Sequence, residues 1–187
     1  MMVEMNMLDH IVIHSMQVCR VATLLAGRLK DQGLFLNFDL VQAAALLHDI
    51  TKTRSFQTAE NHALTGGQFL SERGFPEVGD LVRQHVKLDE YHDPVMLGEA
   101  EIINYADKRV LHDEVVSIDK RLAYIIERYA KAPEHEQGIR WLWEKTRLIE
   151  DRIFRDLSIA RQDLSDLVNA EDGSVDFGDY QKIRDGF

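Results

Sequence analysis

The chain of 187 residues predicts an all-α fold, a single-domain helical bundle with a long C-terminal helix. Three observations point there: apolar residues recur at helical spacing, strict two-residue alternation is scarce, and only three prolines interrupt the chain. The length suits one domain able to bury a substantial core without disulfides. No internal repeat, low-complexity tract or composition shift divides residues 1–168, so this span reads as one domain.

Met7, Ile11, His14, Val18, Val21, Ala22, Leu25 and Leu29 fall on one stripe, which predicts a first helix over about residues 4–30, ending near Gly33. A second helix starts behind the cap candidate Asp39 and runs through Val41, Ala44 and Leu47 to His48 and Asp49. It is apolar nearly all round and therefore central. The third covers about residues 60–73 and stops at Gly74. Pro76 then sits at the first turn of a fourth that reaches His85, which makes a helical hairpin. A polar loop over residues 87–94 precedes a helix over about 97–112, and Ser117 caps another that ends near Ala132 and Pro133. A long amphipathic helix follows over about residues 136–168, with Ile139, Leu142, Trp143, Leu148, Ile149, Ile153, Leu157, Ala160 and Leu164 facing inward. Residues 169–187 carry five acidic and two basic side chains, three glycines and few apolar anchors, and read as an acidic, loosely held tail.

Composition narrows function. The formal charge of −10 and the pI near 5.2 repel polyphosphate backbones, which argues against a nucleic-acid polymer as partner but is compatible with a small phosphorylated ligand held through metal. No apolar run approaches the roughly 20 residues that span a bilayer, and no basic cluster opens the chain, so neither membrane insertion nor secretion is expected. The single cysteine, Cys19, reads as a buried free thiol, suited to a cytoplasmic location.

His-Asp occurs three times, at His48-Asp49, His92-Asp93 and His112-Asp113, and context separates them. His92-Asp93 precedes Pro94 in a polar stretch and His112-Asp113 lies at a polar helix end, so both read as surface groups. His48-Asp49 ends the most apolar helix, where an ionised carboxylate is costly unless it is paired, for instance with Lys52, or coordinates a cation. His14, His62, His85 and Asp107 each occupy a position that helical periodicity assigns to an apolar face. One buried histidine is ordinarily a satisfied core residue. Four inward histidines with two inward carboxylates form a ligand set, since imidazole and carboxylate suit iron, manganese, zinc or nickel.

Through H14-S-M-Q-V18, A43-A-A-L-L-H48-D49-I-T-K52, N61-H62-A-L-T-G66, R83-Q-H85 and Y105-A-D107-K, the sequence resembles the HD-domain phosphohydrolases over about residues 9–121. It is most similar to the branch with two extra histidines. The resemblance implies that His14, His48, Asp49 and Asp107 hold one metal, and that Asp49 bridges to a second held by His62 and His85. The expected cofactors are one or two divalent ions per chain, drawn from iron, manganese, nickel, cobalt, zinc and magnesium. Two departures matter. Thr51 stands where glycine is frequent, and no tandem-histidine plus Gly-Tyr-Pro signature is present, which argues against cyclic dinucleotides as substrate. Lys52 stands where some nucleoside monophosphatases of the family carry glutamate.

The expected activity is hydrolysis of a small phosphorylated metabolite, foremost a nucleotide, by metal-activated hydroxide, with Asp49 and Lys52 as catalytic groups. Lys52 offers a fixed positive charge for a phosphoryl oxygen, and Lys108 is the second substrate-binding candidate. His10, Arg54, Arg83, Lys87 and Arg109 flank the set and are weaker candidates. No G-x-S-x-G elbow or P-loop occurs. Trp141 and Trp143 point to different sides of one helix, leaving one for the core and one for a homodimer contact. Two other readings use the same residues: a mixed-valent di-iron oxygenase of the same superfamily, and a nucleotide-binding sensor domain without turnover.

Overall fold

The structure, a computed structural model, describes residues 1–91, 97–155, 157–170 and 177–186. The His92-Asp93 pair lies outside them. Helices α1 (Asp9–Asp31), α2 (Phe38–Leu47), α3 (Lys52–Thr58), α4 (His62–Glu72), α5 (Pro76–Gln84), α6 (Glu99–Lys108), α7 (Ile118–Tyr129), α8 (Pro133–Arg155), α9 (Leu164–Ala170) and α10 (Phe177–Asp185) make up nearly all regular structure. The exception is a small antiparallel hairpin, β1 (Val110–Leu111) with β2 (Glu114–Val115), in which Val110 faces Val115 and Leu111 faces Glu114. The chain is all-α, as its periodicity predicts.

α1 is the axis. It packs against α2 on one side and α6 on the other, with α9 and α10 also resting on it. Its two ends contribute to two apolar clusters. One gathers Leu25, Val41, Ile102, Tyr105, Trp143 and Ile153; the other gathers Val12, Ile50, Leu70, Val82, Ile103 and Tyr180. Caps fix the helix starts: Asn37 Oδ1 accepts from Leu40 N at 3.2 Å, Asn61 Oδ1 from Ala63 N at 3.1 Å, and Ser117 Oγ from Lys120 N at 3.2 Å. α4 and α5 approach each other at backbone distance. A Cβ on Gly67 would lie 2.6 Å from the Gly79 carbonyl oxygen, so only glycine fits this crossing.

Several boundaries differ from the sequence expectation. α1 begins at Asp9 rather than near residue 4, because residues 1–7 form a turn that closes Met5 N onto Met1 O at 2.9 Å. Asn37, not Asp39, caps α2. α3 was not foreseen. The helix expected to reach His112 stops at Lys108, and the hairpin follows, with His112 in left-handed backbone at φ 58°. α8 ends at Arg155 instead of running to 168. The turn beyond it is held from both sides: Arg161 donates to Glu150 Oε2 at 2.9 Å, and its carbonyl accepts from buried Arg109 at 3.0 Å. Leu148, expected inward, is exposed.

The expected boundary at residue 168 falls inside α9, whose Leu164 and Val168 are buried in the main cluster. The segment read as a loose tail forms α10 where it is described. Tyr180 is buried with its hydroxyl donating to Met7 O at 3.4 Å, and Arg184 bonds Asp9 at 2.6 Å. One well-placed aromatic ring outweighs the polar composition around it. Among the described residues no helix is long and apolar enough to cross a membrane.

Candidate metal centre

Five helices deliver the expected ligands to one place. His14 projects from the second turn of α1, His48 and Asp49 follow directly on α2, and His62 opens α4. His85 follows α5, and Asp107 lies in the last turn of α6; Lys52 opens α3 alongside them. His14 Nε2 is 3.1 Å from Asp107 Oδ1, and the same oxygen is 3.8 Å from His48 Nε2. Asp49 Oδ2 lies 3.4 Å from His48 Nε2, while Asp49 Oδ1 lies 3.3 Å from His62 Nε2 and 3.6 Å from His85 Nε2. Two triads result, His14 with His48 and Asp49, and Asp49 with His62 and His85, each with its donor atoms within 4.8 Å of one another. Asp49 is common to both, and Asp107 adjoins the first.

The backbone sets the ring orientations. His48 Nδ1 bonds Ala45 O at 2.7 Å, His85 Nδ1 bonds Val82 O at 2.6 Å, and His14 Nδ1 bonds His112 O at 3.0 Å. Since a carbonyl only accepts, each Nδ1 carries the proton and each neutral ring turns an Nε2 lone pair into the cluster. Two of these carbonyls belong to the last turns of α2 and α5, three residues before the histidine, where helix ends leave carbonyls with capacity to accept from a side chain. Thr51 Oγ1 donates to the His62 carbonyl at 2.8 Å, a tie that glycine at this position would lack.

The electrostatics suit a cation. Burial works against both carboxyl groups, yet Lys52 and His48 hold Asp49 well below the usual carboxylate range, and the neighbouring His14, His48 and Arg121 do the same for Asp107. Burial pushes His14 down and His85 down to about 3. Burial also disfavours charge on His48, but Asp49 and Asp107 outweigh it and raise this ring, a demand for positive charge that a divalent ion meets in place of a proton. Two buried polar atoms in the cluster, His48 Nε2 and Asp49 Oδ1, have no hydrogen-bond partner. Groups of this kind are rare in native interiors unless they bind something, and here they are the donor types of a transition-metal site. The residues present therefore fit a divalent metal.

The cations divide by direction. Lys52 Nζ bonds Asp49 Oδ2 at 2.7 Å with its side chain 27% exposed, so it combines the ion pair with access to the cavity. Lys108, expected at the substrate, lines the cavity, but its ammonium is spent on protein oxygens. Its Nζ donates to His85 O, Asn104 O and Asn104 Oδ1 at 2.9–3.1 Å, which uses all three protons and leaves none for a ligand. Burial lowers this ammonium to about 8, and its place is beneath His85, bracing the carbonyl that Asn104 Nδ2 also reaches at 2.9 Å. Arg54 pairs with Glu60, Arg83 with Asp80 and Asp89, Lys87 lies over Trp141, and Arg109 is buried against Glu150. His10 lines the cavity mouth.

A cavity of about 600 Å³ opens from the cluster, floored by the histidines and carboxylates and walled by α3, α7 and α8. Sequence reasoning missed two contributors. Arg121 faces into the cavity, and the His112 carbonyl orients His14 although the His112 side chain is exposed. The spacing of Arg121, Tyr124 and Arg128 on one face of α7 was the available signal for the first; nothing local marks the second.

Residues 11–157 match the family described as HD domain. An uncharacterized protein of Methanocaldococcus jannaschii is 26% identical over 136 residues, covering 66% of this chain and 79% of its own length. No solved structure matches the chain. With the matched span enclosing every residue of the His/Asp cluster, the chain belongs to the HD-domain family, a superfamily of metal-dependent phosphohydrolases.

Proposed function

We propose that this protein hydrolyses a phosphate ester of a small metabolite, a nucleotide by preference, with Asp49 shared between two divalent-metal sites. The first site takes His14, His48, Asp49 and Asp107, and the second takes Asp49, His62 and His85. The observation that carries the reading is the pair of buried, partnerless donors, His48 Nε2 and Asp49 Oδ1, beside a cavity that Asp49 and Lys52 line. A divalent ion in such a donor set supplies activated water at neutral pH and neutralises phosphoryl charge. The protein groups do the rest. Asp49 carries the negative charge that both sites share, and Lys52 holds that carboxylate while its ammonium remains near enough to meet a phosphoryl oxygen. The cavity volume matches a nucleotide-sized ligand, and Phe56, Tyr124 and Tyr129 offer flat apolar surface to a base.

The test is a panel of nucleotides and sugar phosphates under Mn²⁺, Fe²⁺, Co²⁺, Ni²⁺ and Mg²⁺, with inorganic phosphate and oxygen uptake measured together, aerobically and anaerobically. Metal-dependent phosphate release in both atmospheres is expected. Oxygen-dependent turnover without P–O cleavage would overturn the reading in favour of a di-iron oxygenase, and binding without turnover under every metal would make the domain a sensor.

A further inference from the structure

The cavity is bounded on one side by α7, which presents Arg121, Tyr124, Arg128 and Tyr129 along one face. Two arginines lie near the end of α6, and they are opposites. Arg109 is fully engaged, with Nε on Val116 O at 2.6 Å, Nη1 on the Tyr105 hydroxyl and Glu150, and Nη2 on Arg161 O at 3.0 Å. Arg121 makes no hydrogen bond to any described residue. Its side chain is only 12% exposed, and its nearest acid, Asp107 Oδ1, stands 4.0 Å from Nη2, beyond hydrogen-bond range.

A guanidinium has five donors, and leaving them unused in a nearly enclosed place is costly. The Asp107 carboxylate at 4.0 Å offsets part of the charge, but it accepts no hydrogen bond from Arg121, so the donors themselves stay unused. The group is nonetheless oriented: its carbon lies 5.7 Å from the Tyr124 ring centroid, and the His112 ring meets Tyr124 edge-on at 5.4 Å, so the ring cannot swing freely. The residue lines the cavity with these donors unused, one carboxylate away from the histidine cluster. A planar fork of N–H groups matches paired oxygens on phosphorus in a way a lysine does not.

We infer that Arg121 is the substrate-anchoring residue, its guanidinium fork gripping the non-bridging oxygens of the phosphoryl group and holding it against the cluster. This rests on the phosphate-ester reading above. Held in this way, the phosphoryl group is positioned against the cluster and its charge stays neutralised through the transition state, so the grip contributes to kcat as well as KM.

The test uses the full chain loaded with Mn²⁺ and inorganic phosphate as probe, followed by calorimetry. Arg121→Ala and Arg121→Gln are expected to weaken phosphate binding roughly 10- to 100-fold, the range for a charge-assisted hydrogen bond. Arg121→Lys should fall between these and the parent, since it keeps the charge and loses the fork. Manganese content per chain should stay unchanged in all three. Parent-like phosphate affinity in the Ala and Gln variants would overturn the inference, and so would loss of manganese, which would make Arg121 a support for Asp107. Steady-state kinetics separate the two readings. Arg121-dependent phosphate binding in a parent that hydrolyses no ester would end the hydrolase reading alone. An active parent matched by Arg121→Gln in both kcat and KM would end the Arg121 assignment alone.

Discussion

Gly67→Ala tests whether the α4–α5 crossing sets the second triad. The added Cβ would meet the Gly79 carbonyl oxygen at 2.6 Å and Arg83 Cβ at 2.8 Å, where ordinary contact begins near 3.4 Å. Both obstacles are backbone or backbone-attached, so the helices must part by about 0.8 Å, the shortfall from that contact distance. Forcing packed elements apart costs about 1–3 kcal/mol, and alanine returns about 1 kcal/mol of helix propensity. A net loss of about 1 kcal/mol lowers Tm by roughly 2–4 °C in a chain of this size. The effect on the site is larger. α4 carries His62 and α5 leads into His85, and their Nε2 atoms are 3.3 Å apart. Metal–ligand distances tolerate roughly ±0.2 Å, so a shift of this size should weaken metal binding at Asp49, His62 and His85 at least tenfold. The triad of His14, His48 and Asp49, carried on α1 and α2, should keep its affinity. The assay is a metal titration read beside thermal melting, with Gly27→Ala as comparison, since nothing lies within 4 Å of a Cβ there and only propensity changes. Parent-like Tm and metal isotherm in Gly67→Ala would refute the reasoning.

Other outcomes follow from the site. Asp49→Asn should remove bound metal and activity together, because an amide is a poor anionic bridge; metal retained at parental stoichiometry, measured by atomic absorption, would refute a shared carboxylate. Lys52→Ala should leave metal content unchanged and slow turnover on the order of 10²- to 10³-fold, the range for losing one transition-state charge contact; single-turnover kinetics decide it. The contribution of His85 to the stability of the metal-free protein should fall as pH drops below about 6.5, against the opposite contribution of His48, whose ring is raised. Over that window the unfolded His85 imidazole takes a proton that the buried ring, pushed down to about 3, refuses, so the unfolded state binds more protons. At pH 5 the loss is about 2 kcal/mol, and urea unfolding of His85→Gln across pH 5–7.5 should show a flatter slope than the parent.

The ligand set was legible because chemistry and periodicity disagreed. A histidine or aspartate in a position reserved for an apolar residue announces itself, and His14, His48, Asp49, His62, His85 and Asp107 all do so. Lys108 was expected at the substrate because it adjoins Asp107, but adjacency in sequence does not report which way the end of a side chain turns. Here its acceptors are the His85 carbonyl after α5 and the two oxygens of Asn104 in α6. The hairpin after α6 was hidden by Val110 and Leu111, which continue the helical stripe; only the left-handed backbone at His112 breaks it. The early end of α8 depends on Arg109 and Glu150 catching Arg161, contacts made across 52 and 11 residues and invisible to any local pattern.

The two triads also differ in when the chain can build them. His62 and His85 are 23 residues apart on one helical hairpin, and Asp49 precedes them closely, so this half needs only a short loop closed. The other half needs Asp107 brought to His14 across 93 residues and the His112 carbonyl brought across 98. Closing such spans waits on the packing of α6 and the hairpin against α1, which places it late in folding. A refolding chain should accordingly acquire its local histidine pair before His14 has an orientation at all, and pulse-labelled hydrogen exchange should find α4 and α5 protected earlier than β1 and β2. A metal ion met during synthesis would be received first by the half of the site that the native protein exposes more to solvent through His62.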